Sequence, residues 1–384
     1  MSIMDRKLLF AVLAIALMLS GCGLLFPSSR GTVDTGIYNS IGLDSNGKVF
    51  ISFNTTVGAD DSLDIATNTS GSWEITSIDP DCYSSATPSM VIDSSNNIHI
   101  IYPDSESGVA YLKYATNTSG SWQITTISSS ESSFGFAPVA IDSAGKLHIC
   151  YIVRYSSSTG PLKYLTNASG AWSETTLVDF LTTDSIYSSY SSIALDQSDK
   201  VHISYYIGGD HNSLRYLTNR SGTWLDTTIS SYSGDRYSTI VSAITVDNNG
   251  NAHICYSYRS KVMYSTNASG SWESTQLAYP ASISQIQPIA VVGSGEVHIA
   301  AQDTSDHLIY ITNKSGSFET TTLDTETDVG EYAAIAIDGS NNVHIAYYKM
   351  EYDDVIDERH YQGDLKYATN SSGSWSTQVI YTAE

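Results

Sequence analysis

Apolar residues along this chain come in short bursts separated by clusters of Ser, Asn, Asp and Gly. Four kinds of burst follow one another in a fixed order. The first is apolar with small residues, as in SIALD or AAIAID. A turn cluster follows, in which Gly or Asn tolerates the positive φ that tight turns need. The second burst, as in VHISYY, is nearly all apolar, which predicts a strand buried on both faces. The third, LKYATN, alternates. The fourth, W-x-x-T-T-I, is rich in β-branched residues and Trp, the composition of a pleated, half-buried surface. No stretch after the N-terminal segment shows a helical period.

The order repeats seven times. TNTSGSW (67–73), TNTSGSW (116–122), TNASGAW (166–172), TNRSGTW (218–224), TNASGSW (266–272), TNKSGSF (312–318) and TNSSGSW (369–375) mark the third-to-fourth turn, at spacings of 46 to 57 residues. A second signature such as IDSAGKLHICY precedes each. Seven units of four antiparallel strands predict an all-β, seven-bladed β-propeller over residues 37–384. Small residues in the first strand suit a crowded axis, and the Trp strand is expected outermost, its ring wedged against the next blade. Each repeat is read as one blade, so the ring is expected to close by side-chain packing without strand exchange; the alternative is a one-strand offset with a shared blade.

Strand direction sorts the loops into two faces. The first-to-second and third-to-fourth turns are nearly invariant and share one face. The second-to-third loops and the blade links share the other, where all the length variation lies. Variable loops on a regular scaffold are where binding sites usually form. On that face the candidate ligand-binding residues are Tyr187, Tyr190, Asp235, Arg236, Tyr237, Asp353, Asp354, Arg359, His360 and Tyr361. Tyr rings pack on the apolar face of a sugar, while carboxylates and Arg hydrogen-bond its hydroxyls. The acidic run DDVIDE lacks the oxygen spacing and Gly of a Ca²⁺ loop. No metal or cofactor is implied.

Six histidines, His99, His148, His202, His253, His298 and His344, open the second strands, and Phe50 stands there in the first repeat. Spread around a ring beside the invariant turns, they read as structural. His211, His307 and His360 fall on the variable face.

The N-terminal segment is of another kind. Arg6 and Lys7 precede the apolar run LLFAVLAIALML, about the length of a signal-peptide core. Leu19-Ser20-Gly21-Cys22 resembles the lipobox of bacterial lipoproteins. That resemblance implies cleavage before Cys22, lipidation of its thiol and export to the cell envelope, with Gly23 pointing to the outer membrane or surface. Residues 1–22 are thus expected to be a lipoprotein signal and 23–36 a polar tether. A formal charge of −22 excludes nucleic acid, whose phosphates need Lys and Arg, and a basic patch on anionic lipid. Besides Cys22 only Cys82, Cys150 and Cys255 occur, too few for a disulfide framework. They read as buried thiols.

The D-S-x-G-x-x-H-I and S-G-S-W turns resemble degenerate Asp-box (BNR) repeats of sialidase-like propellers, and PVAIDSAGKLHICY resembles NHL-type repeats. The sialidase resemblance implies an arginine triad and a Tyr–Glu nucleophile. Arg is sparse here and no F/Y-R-I-P segment is present, so no catalytic residue carries over. The expected function is a lipid-anchored, non-catalytic envelope propeller that binds a glycan or protein. The alternative is a sialidase-like glycosidase or lyase with its site at the axis of the variable face.

Overall fold

The computed structural model describes residues 33–57, 60–82, 87–130, 132–154, 159–179, 190–208, 212–232, 240–278, 287–353 and 360–382. Every regular element among them is a β-strand. Val33–Leu43, Val49–Val57, Asp60–Thr67 and Glu74–Asp79 pair antiparallel in that order and form blade 1. Blades 2 to 7 repeat the pattern, opening with inner strands Ser89–Ile92, Val139–Ile141, Ser191–Leu195, Ser242–Val246, Ile289–Val292 and Val329–Ile337. Each inner strand touches the inner strands of the two adjacent blades, going once around the axis. The seven-bladed propeller follows, with each sequence repeat as one blade.

The core lies between blades. Alternate residues of a second strand point to opposite neighbours. Ile100 therefore joins Leu63 and Ile65 of blade 1, while Ile101 joins Val139 and Ile149 of blade 3. Both flanking clusters must be apolar at once, which is why HIIY and its equivalents do not alternate. The outer-strand ring seals each seam from the rim. Trp172 meets Tyr114 of the previous blade edge-on at 5.8 Å, Trp224–Tyr164 and Trp272–Tyr216 repeat the pairing, and Trp375–Tyr310 makes it at a tilt. Phe318 replaces Trp against Tyr264. Edge-to-face geometry is the favoured one for aromatic pairs.

Trp73 of blade 1 packs on Tyr367 of blade 7 in the same way, so side chains close the ring as expected. The structure adds a backbone contribution that side-chain packing alone does not supply. Val33, at the start of blade 1, pairs in parallel with Gln362 in the third strand of blade 7. No strand is exchanged, but the first and last blades share one hydrogen-bonded sheet.

The invariant face owes its uniformity to two side-chain-closed turns. In blade 2, the Asp93 carboxylate accepts from the backbone N–H of Ser95 and Asn97. In the other turn, Gly120 adopts φ 85°, and Asn117 Oδ1 accepts from the N–H of Ile98 at 2.7 Å. Asn68, Asn167, Asn219, Asn267, Asn313 and Asn370 make the same bond at the head of their own second strands. The Asn thus ties the outer hairpin to the inner one. Asn117→Ala would leave the Ile98 N–H without its acceptor. It is expected to cost about 1–2 kcal/mol, and Asn117→Asp, which keeps an acceptor oxygen, less. Urea midpoints of the two variants check this.

The histidines are buried structural groups. Nδ1 of His99, His202, His253 and His298 lies 2.5–2.6 Å from the hydroxyl of Tyr114, Tyr216, Tyr264 and Tyr310. His148 and His344 pair with Tyr164 and Tyr367. On the other side, Nε2 faces Asp93, Asp142, Asp196, Asp247 or Asp338 at 3.2–3.5 Å. A neutral imidazole that donates from Nε2 accepts the Tyr proton at Nδ1. Blade 1 loses both partners together, with Phe50 and Ile65 at the His and Tyr positions. Cys82, Cys150 and Cys255 are free and buried, and burial pushes the Cys150 thiol up to about 12.

Candidate functional site

The inner strands run from the variable face towards the invariant turns, so their first residues ring the axial mouth on the variable face. The cavity they enclose holds about 300 Å³ and is lined by all seven inner strands. Its middle is a ring of small residues: Ser40, Ser89, Pro138, Ser192, Ala243, Pro288 and Ala334. The serines also stitch blades together. Ser40 Oγ accepts from the N–H of Met90, Ser89 from Val139 and Ser192 from Ile244, at 3.0–3.2 Å. Larger side chains here would push the blades apart. One step deeper lie Ile41, Met90, Val139, Ile193, Ile244, Ile289 and Ile335, an apolar floor.

The mouth is aromatic. Tyr38, Phe136, Tyr190 and Tyr332 stand at matched positions of blades 1, 3, 4 and 7, with Thr87 in blade 2. Tyr38 and Tyr332 meet edge-on with centroids 4.7 Å apart across the closing seam. Asn39 Nδ2 donates to the Tyr332 carbonyl at 2.8 Å. Both tyrosines sit in β-bulges, where the register to the second strand slips. Both have positive φ, 57° and 46°. Bulky residues there are strained by about 1–3 kcal/mol, and such strain gathers at functional sites. Bulges likewise re-aim side chains next to such sites. Burial, then the neighbouring Tyr38 and Glu331, push the Tyr332 hydroxyl well above the usual tyrosine range. It stays protonated and can donate a hydrogen bond.

Among the described residues, no carboxylate, imidazole, ammonium or guanidinium lines this cavity. Nor do the described residues contain a cluster of three His, Cys, Asp or Glu placed to hold a metal ion. Charge is arranged instead at the blade seams. Four matched third-strand positions carry a cation beneath a second-strand Tyr: Lys113, Lys163, Arg215 and Lys366. Where the preceding blade offers an Asp, the cation crosses to it. Lys113 reaches Asp79 at 3.2 Å and Lys366 reaches Asp324 at 2.6 Å. Where it offers Ser128 or Val178, Lys163 and Arg215 turn back to Glu174 and Asp226 of their own outer strands. Burial alone would raise the Asp324 carboxyl, but hydrogen bonds from Lys366 and Tyr347 hold it below the usual range.

Of the residues expected from the sequence, Tyr190 stands at the axial mouth. Tyr187, Asp235, Arg236, Tyr237, Asp354, Arg359 and the lipobox Cys22 lie outside the described residues. Asp353 pairs with His360, and Tyr361 with Tyr352, across a hairpin. That hairpin corrects the expectation that the second-to-third connection of blade 7 is all loop, because Val343–Asp353 and His360–Thr369 extend the blade into it. His307 belongs to a turn in which the Asp303 carboxylate accepts from the N–H of Ser305 and His307. Sequence reading missed Tyr38, Asn39, Phe136 and Tyr332. The signal for them was present. When the repeats are aligned on the turn Asp, an aromatic recurs six residues before it in blades 1, 3, 4 and 7.

The sequence matches no protein-family model and no curated protein. Among solved structures the fold is similar to an ulvan lyase of polysaccharide lyase family PL25. The TM-score is 0.59 at 12% identity, over 88% of this chain and 95% of that one. A second structure of that enzyme, bound to -[GlcA(1-4)Rha3S]-, gives 0.58 at 11% identity, with the same coverage of both chains. The Aleuria aurantia lectin with α-methyl-L-fucoside gives 0.51 at 13% identity, over 77% of this chain and 96% of that one. At such identities the likeness carries the propeller fold.

Proposed function

We propose that this chain is an exported, lipid-anchored envelope propeller whose variable face binds glycan without chemical conversion. One observation carries the reading. The axial mouth combines Tyr38, Phe136, Tyr190 and Tyr332 with a neutral, Ser-bearing wall. Aromatic faces take the C–H side of a sugar and protonated Tyr hydroxyls donate to its oxygens. Among its described residues the wall offers no carboxylate, imidazole or ammonium. Glycan-handling neighbours with a similar fold, a fucoside-bound lectin and an ulvan lyase, support the ligand class. The lipid anchor at Cys22 and the envelope location rest on the lipobox resemblance. Tyr187, Asp235, Arg236, Tyr237, Asp354 and Arg359 remain proposed contacts on the same face.

The test is glycan-array binding by the full-length chain. Tyr332→Gly removes the ring while relieving its positive φ, so the protein stays folded. Binding is expected to fall at least about tenfold in this variant and in Tyr190→Ala, roughly one lost aromatic contact each. A folded Tyr332→Gly protein that binds as wild type would overturn the reading.

The ulvan lyase likeness favours one second reading, glycan cleavage on this face. Incubation with uronate-containing polysaccharides decides it. A lyase leaves an unsaturated uronate that absorbs in the ultraviolet, and the binding reading expects none.

A further inference from the structure

The seam between blades 2 and 3 differs from its counterparts. At the 1–2 and 6–7 seams, Asp79 and Asp324 close the gap by pairing with Lys113 and Lys366. The matched residue at the 2–3 seam is Ser128, and Lys163 folds back to Glu174. A cleft of about 130 Å³ is left open. Ser133–Phe134, a two-residue strand with no counterpart in the other blades among the described residues, pairs with Val153 and Arg154 and walls it. Phe134 packs edge-on against Tyr151 at 5.4 Å and braces the wall. The cleft lies beside the end of the blade 2 outer strand, towards the variable face.

Its chemistry is that of a diol receptor. Ser128, Ser129 and Ser130 line one side, and the Ser128 hydroxyl turns towards Glu174. The Glu174 carboxylate accepts from Lys163, Tyr151 and Ser128. Burial alone would raise this carboxyl, but the hydrogen bonds from Lys163 and Tyr151 outweigh it and hold Glu174 ionised. The ammonium has three donors and Glu174 uses one. A charged donor and a charged acceptor side by side match two adjacent hydroxyls, since each hydroxyl both donates and accepts. Net charge in the cleft is zero, which favours a neutral ligand.

We propose that the blade 2–blade 3 cleft is a second saccharide subsite, separate from the axial mouth, that holds the vicinal diol of a neutral monosaccharide unit through Lys163, Glu174 and Ser128–Ser130. The ligand class rests on the glycan reading of the axial mouth; the place does not.

Saturation-transfer NMR and calorimetry on the full-length chain in detergent test it, with methyl glycosides of fucose, mannose, galactose and glucose as probes. Ser128→Asp is the decisive variant, because it rebuilds the Lys-centred closure of the 1–2 and 6–7 seams and fills the cleft without emptying the core. At least one glycoside is expected to bind wild type, and Ser128→Asp is expected to weaken it tenfold or more with the melting temperature kept. Glu174→Gln, which loses the charged acceptor, is expected to weaken it as well. Tyr190→Ala separates the two sites. If Tyr190→Ala abolishes all binding and Ser128→Asp none, the cleft proposal fails and the axial reading stands. If Ser128→Asp alone abolishes binding, the cleft stands and the axial reading fails. Absence of any glycoside binding to wild type overturns both.

Discussion

Lys366→Met is expected to destabilise the fold by roughly 3–5 kcal/mol, the usual cost of breaking a buried ion pair by removing one partner. The side chains of Lys366 and Asp324 are only 3% and 6% exposed. Asp324 also accepts from the Tyr347 hydroxyl at 2.7 Å. Without the ammonium its charge stays buried, and Glu326 at 3.1 Å from the Lys366 Nζ position loses a partner too. The pair bridges blades 6 and 7, so the loss falls on a seam that the adjacent ring closure depends on. The matched cations give an internal scale. Lys113 is 22% exposed and its Asp104 partner 6%, which places Lys113→Met between the extremes. Arg215 and Asp226 are 24% and 30% exposed, and water already screens them, so Arg215→Met is expected to cost about 1 kcal/mol or less. Replacing both Lys366 and Asp324 with Met and Leu should recover most of the loss, since an apolar pair of similar volume needs no partner. Urea midpoints of the four variants rank the series; equal costs at Lys366 and Arg215 would contradict it.

The second large effect is acid sensitivity. Burial lowers the pKa of His99, His202, His253, His298 and His344 below 6.5 despite attraction from the neighbouring carboxylates. The sign follows from proton counting. Below about pH 6.5 the unfolded chain binds protons that the folded chain refuses, so stability falls as pH falls. Above that pH both states are neutral and the contribution is complete. Each such group contributes at most about 1.4 kcal/mol per pH unit, and five acting together make the slope steep. Chemistry agrees with the count, because a protonated imidazole can no longer accept the Tyr proton at Nδ1. The lowered carboxyls of Asp93, Asp142, Asp196, Asp247 and Asp338 have the same sign in a lower window, below about pH 3.8. Melting temperature is therefore expected to be flat from pH 8 to 7 and to drop by several degrees or more between pH 6.5 and 5. Blade 1 supplies the control. His99→Phe with Tyr114→Ile copies its Phe50 and Ile65 and should remove about one-fifth of the slope. A slope unchanged in that variant would place the acid sensitivity elsewhere.

The architecture was legible because each physical requirement left its own mark. A second strand buried on both faces cannot alternate, and HICY and HISY do not. A turn that ties two hairpins needs Asn, and a third-to-fourth turn needs Gly at φ near 90°, so T-N-x-S-G recurs. The role of the histidines also followed from their place beside these turns. The axial site was less legible. Attention to loop length pointed to Tyr237 and Arg359, whereas Tyr38 and Tyr332 lie inside strands, where an aromatic looks like core. What sets them apart is a bulge and a positive φ, and neither appears in residue types, because Tyr is not the residue that such a backbone usually selects. The seam cations were visible as LKY, LKY, LRY and LKY. Their partners were not, because the choice between Asp79 and Glu174 depends on which blade lies alongside.

The closing seam carries a consequence for how the protein comes into being. Tyr38 and Tyr332 belong to the first and last blades, and the Asn39–Tyr332 hydrogen bond joins residues 293 positions apart. Blades 1 to 6 can pack on one another in chain order, each seam using neighbours already made. The axial mouth has no such early form. Its two strained tyrosines meet only after the seventh blade is synthesised and the ring shuts. Ligand recognition at the axis is thus a property of the finished chain, and a protein truncated within its last blade would fold most of its seams and still lack the site.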